Sequence, residues 1–270
     1  MPPIVSPDTA VVVDADLCLP PALAAAAGIR VAPPDAPLLL ERENIPRLKV
    51  EAAAGLDVAP LVEACRAAAA TGARTIIYVP AQDGFGSPDG ASAAAAEALA
   101  PLGVRFEVFE TGEALMAAGW RAVILAESLR GGADPEAAMA HARAASISLL
   151  ALVEHPELAA ISGPDGSTTQ RLVARLHGAE FRLVGAPAKR DDGLRSVRDG
   201  FARATSDVAG HLRVAVLHAG VVPAGEAMAT WIRRERPTAE VYEGAVTRHQ
   251  ATRLGPGFVG ICWAEVGAEG

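Results

Sequence analysis

Two aspartates follow an apolar run near the start of the chain. Residues 9–13 predict a buried strand, and the segment VVVDADLCLP places Asp14 and Asp16 directly after it. Because ligands of α/β proteins bind at the carboxyl ends of such strands, both carboxylates are candidate site residues. Such a pair supplies a nucleophile and an acid/base, or the first carboxylate only caps a turn or a helix. We favour the capping interpretation of Asp14.

The same segment resembles the signature of the haloacid dehalogenase phosphohydrolases, in which four apolar residues precede DxD. This resemblance implies that Asp14 is the nucleophile and Asp16 the acid/base. That family also requires a threonine or serine after a second strand, a lysine, and a late acidic pair that binds magnesium. The residues available for these roles are Thr75, Lys189, Asp191 and Asp192.

A glycine-proline-glycine turn precedes an apolar strand near the end of the chain, in ATRLGPGFVGICW. Gly255 and Gly257 permit backbone angles and a close approach to a ligand that other residues do not allow, and Pro256 stiffens the turn. Arg253 lies two residues before Gly255, and a guanidinium there can hold a carboxylate or a phosphate with two hydrogen bonds. The alternative is an ordinary turn into a strand, with a solvated arginine.

A glycine-rich loop joins a predicted strand to a predicted helix in VPAQDGFGSPDG. Gly86 and Ser87 lie near the start of the helix, where backbone N–H groups attract anions. The loop matches neither GxGxxG nor a lysine-bearing phosphate loop, so it does not predict nucleotide binding. The alternative is a plain connection in which Ser87 or Asp89 caps the helix.

His218 follows the apolar segment LRVAVL and is a further candidate for contact with a ligand. The six histidines and three cysteines show no metal-ligand spacing, and no GxSxG motif is present. The sequence therefore predicts no metal site, no cofactor and no hydrolase nucleophile.

Strands and helices alternate along the first half of the chain, which predicts a parallel sheet flanked by helices. The second half mixes hairpin and crossover connections, and it includes a predicted hairpin of residues 181–184 and 194–197. We predict a two-domain α/β protein, with an N-terminal domain at 1–146 and a mixed C-terminal α/β domain at 147–270. The other predicted strands are 75–79, 104–109, 148–154, 212–217, 240–242 and 258–263, and the main predicted helices are 61–70, 88–102, 135–145, 198–209 and 225–235.

Composition limits the classes of function. Of the 270 residues, 51% are hydrophobic and 21% are charged, so the chain can bury a core and is not disordered. A net charge of −8 offers no basic face for phosphate backbones, and nucleic acid is not an expected partner. The first residues lack the pattern of a signal peptide, and no apolar run of about eighteen residues predicts a membrane span. We expect a soluble, cytoplasmic protein that is not an integral membrane protein.

Taken in order, these segments resemble the DegV family of two-domain α/β lipid-binding proteins. VVVDADLCLP and GIRVAPPDAPL resemble its opening strand, aspartate and proline segment, and VPAQDGFGSPDGASAAAAEA resembles its serine-rich loop before a helix. LRVAVLHAG and TRLGPGFVGICW resemble its late strand and its His-x-Gly-Pro-Gly ending. The resemblance implies a fatty acid in an apolar tunnel between the domains, with its carboxylate held by hydroxyls and a histidine. It also implies a partner kinase that phosphorylates the acyl group, so that the protein presents the lipid and is not the catalyst.

The chain departs from that family at several polar positions. The Asp-Ser pair becomes Asp14-Ala15, a double serine becomes Ala81-Gln82, and Arg253 occupies the position of the ending histidine. Losing hydroxyl donors weakens carboxylate binding, whereas an arginine offers a permanent charge and paired donors. We therefore predict a divergent, non-catalytic acyl-binding protein with Arg253 and Ser87 at the head group. The alternatives are the Asp14/Asp16 phosphohydrolase and a scaffold that binds no ligand. The further predicted ligand contacts are Asp14, Gly86, His218, Gly255 and Gly257.

Overall fold

The computed structural model describes residues 8–33, 38, 58–81, 90–154, 161–162, 168–169, 171–177 and 180–266. Backbone contacts divide the chain into two units. The first comprises Met1–Ala36 and Glu51–Ala145, and the second comprises Pro37–Val50 and Ser146–Gly270. The boundary between independently folding domains after residue 146 stays a prediction.

The first unit is built on a four-stranded parallel sheet with the strand order β2-β1-β3-β4. Its strands are β1 (Thr9–Asp14), β2 (Arg30–Ala32), β3 (Thr75–Val79) and β4 (Arg105–Val108). Its helices are α1 (Pro21–Ala27), α2 (Ala59–Ala70), α3 (Ala91–Leu99), α4 (Leu115–Arg130) and α5 (Pro135–Ala144), with short 3-10 turns at Ala15–Leu17 and Ala100–Leu102. The predicted class, a parallel sheet flanked by helices, is confirmed, whereas α1 and β2 were not predicted.

Both faces of this parallel sheet are buried. Alternate residues of a strand face opposite sides, and Val12, Ile76 and Tyr78 pack on one side with α2 and α3. Ala68 of α2 and Ala91 and Ala95 of α3 are buried in this core, and such small side chains let the two helices approach the sheet closely. The next residues along β1, Val11 and Val13, are buried on the other side, and the largely buried helix α4 contacts β1. This packing fixes the carboxyl end of β1, where Asp14 lies.

The second unit is built on a six-stranded mixed sheet with the strand order β11-β10-β12-β5-β8-β9. Only β10 and β11 run parallel, and every other neighbouring pair is antiparallel. The strands are β5 (Ile147–Glu154), β8 (Arg171–His177), β9 (Glu180–Gly185), β10 (His211–His218), β11 (Glu240–Ala245) and β12 (Val259–Val266), and a separate antiparallel pair is formed by β6 (Ile161–Ser162) and β7 (Thr168–Thr169). The helices are α6 (Arg190–Ala204), α7 (Val222–Glu235) and α8 (Arg248–Leu254).

Residues of α6 and α7 pack with one face of the mixed sheet in a single core. Phe201 of α6 lies edge-on to the Trp263 ring of β12, with the ring centroids 5.2 Å apart. A Cβ added to Gly193 would lie 2.7 Å from Leu152 Cδ1, so this glycine lets α6 approach β5 closely. The predicted mixed α/β class of the C-terminal half is confirmed.

The predicted hairpin of residues 181–184 and 194–197 is wrong in its second strand. Residues 194–197 belong to α6, and β9 pairs with β8 instead. Leu194, Val197 and Phe201 recur at three and four residues, which is the helical period, and all three pack into the core. The acidic residues 191–192 occupy the first turn, where they interact favourably with the helix dipole. The short apolar run at 194–197 was by itself not enough to distinguish a helix from a strand.

Candidate functional site

The carboxylate of Asp14 caps the turn that follows β1. Its Oδ1 accepts a hydrogen bond from the backbone N–H of Asp16 at 2.9 Å. Asp16 is buried in this turn, and Cys18 ends it with a left-handed backbone at φ +56°. The capping interpretation of Asp14 is therefore confirmed.

Within the first unit, the threonine that a dehalogenase-type site requires does not lie at the end of β1. Thr75 is the first residue of β3 and pairs with Thr9, the first residue of β1. Because a strand rises about 3.3 Å per residue, Thr75 lies roughly 16 Å from the strand end that carries Asp14. The role assigned to Thr75 is therefore wrong. Lys189 and residues 191–192 cap and begin α6 in the second unit.

The described residues contain neither a cluster of metal ligands nor a membrane-spanning helix. Among them, no three histidine, cysteine, aspartate or glutamate side chains are grouped so that they could hold a metal ion. Within the same ranges, no helix is both long and apolar enough to cross a bilayer.

One edge of the mixed sheet collects several polar residues, and we call it the His218 edge. Strands β10 and β11 run parallel and end there. Strand β12 begins there, because Val259 pairs with both His218 and Leu152 near the end of β5. Helix α8 connects the end of β11 to the start of β12, so it lies at the same edge. The residues of the His218 edge are Glu154, Arg171, Arg190, His218, Arg253 and the turn 255–257.

The carboxylate of Glu154 is shared by two guanidinium groups at this edge. Oε1 accepts from Arg171 Nε at 2.7 Å, and Oε2 accepts from Arg190 Nη1 at 2.5 Å. Arg190 Nη1 also donates to the carbonyl of Gly257 at 2.8 Å. The side chain of Glu154 is only 17% exposed, so water screens these pairs less than it would on an open surface. The cluster carries a net positive charge and ties α6 to the turn before β12.

Gly257 is required by this ion cluster. A Cβ built on Gly257 would lie 2.5 Å from Glu154 Oε2 and 2.8 Å from Arg190 Nη1, so no larger residue fits without moving the pair. Gly255 is required for a different reason, because its φ of +82° is strained for residues with a side chain. The close contacts of Gly257 and the backbone angle of Gly255 therefore account for these two glycines in the turn.

Arg253 lies half-buried in the last turn of α8. Thr247 caps this helix at its start, where its Oγ1 accepts from the backbone N–H of Gln250 at 3.1 Å. The partial negative charge at a helix C-terminus stabilises a guanidinium there. Sequence reasoning placed only a turn in this region and missed α8, although Thr247 followed by seven residues without glycine or proline is a helix signal.

His218 is a buried and neutral histidine at the end of β10. It is 7% exposed, and among the described residues its buried Nδ1 has no hydrogen-bond partner. Its ring packs against α7, where Cδ2 lies 2.8 Å from the Cβ position of Gly225. Burial lowers the pKa of His218 below its ordinary value, and the carboxylates of Glu243 and Glu226 only partly oppose this shift. The imidazole therefore keeps one N–H donor and one acceptor near neutral pH.

The structure brings four predicted site residues to the His218 edge, namely Arg253, Gly255, Gly257 and His218. Asp14 lies at the sheet edge of the first unit, and Gly86 and Ser87 lie outside the described residues. Sequence reasoning missed Glu154, Arg171 and Arg190. The available signal was weak: Glu154 is the charged residue that ends the apolar run LLALV.

Comparison with known proteins gives a match in structure and none in sequence. No protein-family model matches the chain, and no curated protein matches it significantly. Among solved structures, DegV from Bacillus subtilis, a fatty-acid-binding protein, is 17% identical with a TM-score of 0.71, and the match covers 96% of this chain and 99% of that one. A DegV family protein from Thermus thermophilus, described by its fatty acid binding, is 19% identical with a TM-score of 0.69, over 96% and 100% of the two chains.

The chain has the DegV fold. A third structure with this fold, the fatty acid kinase B3 protein of Streptococcus pneumoniae loaded with linoleic acid, is 14% identical with a TM-score of 0.63, over 96% and 100% of the two chains. The resemblance read from the sequence is thus confirmed at the level of the DegV fold.

We predict that Gly257→Ala lowers the free energy of unfolding by about 1–3 kcal/mol, because the new methyl group displaces the Glu154–Arg190 pair. Urea unfolding measures the effect. Gly185→Ala is the control, since a Cβ there meets nothing within 4 Å. In a Glu154→Ala background the cost of Gly257→Ala should shrink, because the crowding oxygen is gone. An equal cost in both backgrounds would contradict this account of Gly257.

We predict that His218 makes the fold less stable as the pH falls below about 6.5. Its pKa is lower in the folded than in the unfolded chain, so the unfolded chain binds the extra proton first and is favoured by acid. The loss of unfolding free energy between pH 7.5 and 5.5 should therefore be smaller in His218→Gln than in the wild type. If the unfolding free energy of His218→Gln depends on pH as strongly as that of the wild type, His218 is not the source of this pH dependence.

Proposed function

We propose that this chain is a non-catalytic, cytoplasmic protein that binds a long-chain fatty acid. In this proposal it sequesters the lipid or presents it to a partner protein, such as a kinase that acts on the acyl group. The observation that carries the proposal is the DegV fold, shared over nearly the whole chain with proteins described as binding fatty acids. The polar residues of the His218 edge support it.

Arg253 is the proposed partner of the fatty-acid carboxylate. A half-buried guanidinium keeps its charge and presents two parallel N–H donors, which match the two oxygens of a carboxylate. The turn 255–257 begins directly after α8, which carries this arginine, and the Glu154 cluster holds that turn. Lower exposure also strengthens a charge-assisted hydrogen bond, because less water competes for the carboxylate.

His218 is the proposed second donor. A neutral imidazole donates one N–H, and a carboxylate accepts such a bond without a second full charge having to be buried. The buried Nδ1 without a partner in the described residues supports this role. Both side chains can donate hydrogen bonds to a carboxylate, as the proposed binding of a fatty acid requires. The contacts predicted for Asp14, Gly86 and Ser87 stay proposals.

We predict that organic extraction of the purified full chain releases long-chain acyl material that mass spectrometry detects. After delipidation, long-chain fatty acids should raise Tm, because a ligand that binds only the folded chain stabilises it. Arg253→Gln should weaken fatty-acid binding by about 10- to 100-fold, which corresponds to the loss of one charged hydrogen-bond pair.

Arg248→Gln is the matched control for this experiment. It changes an exposed arginine in the first turn of the same helix and should leave the affinity within about twofold of the wild type. An empty extract together with no thermal shift would contradict the proposal. If Arg253→Gln leaves the affinity unchanged, the chain binds lipid but Arg253 does not contact the carboxylate.

A further inference from the structure

Strand β9 is an edge strand with large exposed apolar residues. It ends the order of the mixed sheet, and within the described residues no strand pairs with its outer side. Phe181, Leu183 and Val184 are 41%, 58% and 52% exposed. An uncovered edge of this kind offers backbone N–H and C=O groups to another strand, and natural proteins usually protect it.

Two arginines lie directly opposite each other on β8 and β9. Arg175 pairs with Arg182 in the sheet register, and both side chains are exposed. Neither has an ion-pair partner among the described residues, although the whole chain carries a net charge of −8. Glu180 lies two residues from Arg182 on the same face and forms no ion pair with either arginine in the described structure. Like charges opposite each other destabilise a sheet, so this pair costs the fold free energy.

Arg182 lies on one face of β9, and Phe181 and Leu183 lie on the other. Arg175 pairs with Leu150, which belongs to the core that α6 and α7 cover, so Arg175 and Arg182 lie on the helix-covered face. Phe181 and Leu183 pair with Leu176 and Ala174, and these four residues lie on the other face. A strand added to the outer side of β9 would therefore meet arginine on one face and apolar side chains on the other.

We propose that β9 is a docking edge for an extended segment of a partner protein in which acidic and apolar residues alternate. The segment adds a strand to the sheet, and main-chain hydrogen bonds to β9 supply part of the affinity. Its acidic residues lie on the face of Arg175 and Arg182, and its apolar residues pack on Phe181 and Leu183. This inference goes beyond lipid binding and does not depend on the acyl ligand.

The presence of two opposed arginines favours binding of a partner over the alternative, in which the charge only protects the edge strand from aggregation. One charged residue on an edge strand is enough to discourage aggregation, and Arg182 alone would serve. A second arginine opposite the first adds repulsion within the chain, and an anionic group that binds near both would relieve it. The three exposed apolar residues are also unlike a protected edge, because they favour association.

The test is fluorescence anisotropy of the full chain with three pools of labelled seven-residue peptides. The first pool alternates glutamate with valine or leucine, the second has the same composition with the glutamates in one block, and the third alternates lysine with the same apolar residues. We expect the first pool to bind at least about tenfold more tightly than the other two, and its affinity to fall with added salt.

Three variants locate the binding edge. Arg182→Glu should weaken binding of the first pool by at least about tenfold. Arg175→Glu should also weaken it while raising Tm by roughly 1–3 °C, because it replaces a like-charge pair by an opposite-charge pair. Arg66→Glu is the control, since it changes an exposed arginine of α2 in the first unit and should leave binding unchanged.

Several results would overturn the docking proposal. One is equal binding of the alternating and block pools, or binding of no pool; another is binding that survives Arg182→Glu. Vesicles containing anionic phospholipid that bind the wild type but not the arginine variants would make this surface a membrane contact. Sedimentation velocity showing a dimer that Leu183→Asp abolishes would make it a contact between copies of the chain.

Discussion

The carboxylate of Glu154 receives hydrogen bonds from two arginines, and the polar edge of the second unit depends on this arrangement. A half-buried carboxylate without partners would be costly, and removing one partner of such a cluster leaves an uncompensated charge. Arg171 comes from the neighbouring strand and Arg190 from the start of α6, and Arg190 also binds the carbonyl of Gly257. Three segments that are distant in sequence are thereby fixed to the turn before β12.

At the His218 edge, some residues stabilise the fold and others are proposed to bind a ligand. The glycine-proline-glycine turn has the composition of a ligand-binding turn, yet Gly257 makes room for the ion cluster and Gly255 adopts a left-handed backbone. Two further polar side chains lie at the same edge. They are the guanidinium of Arg253 and the imidazole of His218, which burial keeps neutral. The proposed binding of a carboxylate uses these two groups, and the cluster holds the turn that follows Arg253.

The sequence predicts the strands well where apolar residues run without interruption, and β3 lies at residues 75–79 as predicted. The prediction is wrong in α6, where a short apolar run is compatible with both the strand and the helix period. It also misses α8, a seven-residue helix that precedes the glycine-proline-glycine turn. The Glu154 cluster could not be predicted from the sequence for another reason. It requires the sheet order, in which β12 lies between β5 and β10, and no local pattern encodes that order. Arg253 and His218 were accessible because each directly adjoins a recognisable strand or turn.

The most direct test of an arginine-held acyl carboxylate is carbon-13 NMR of the chain loaded with a long-chain fatty acid labelled at the carboxyl carbon. A nearby guanidinium favours the charged form, so the bound acid should stay ionised to lower pH than the free acid does in water. Arg253→Gln should move that titration back towards the ordinary pKa. A bound resonance that titrates identically in the wild type and the variant, or the absence of any bound resonance, would contradict the account.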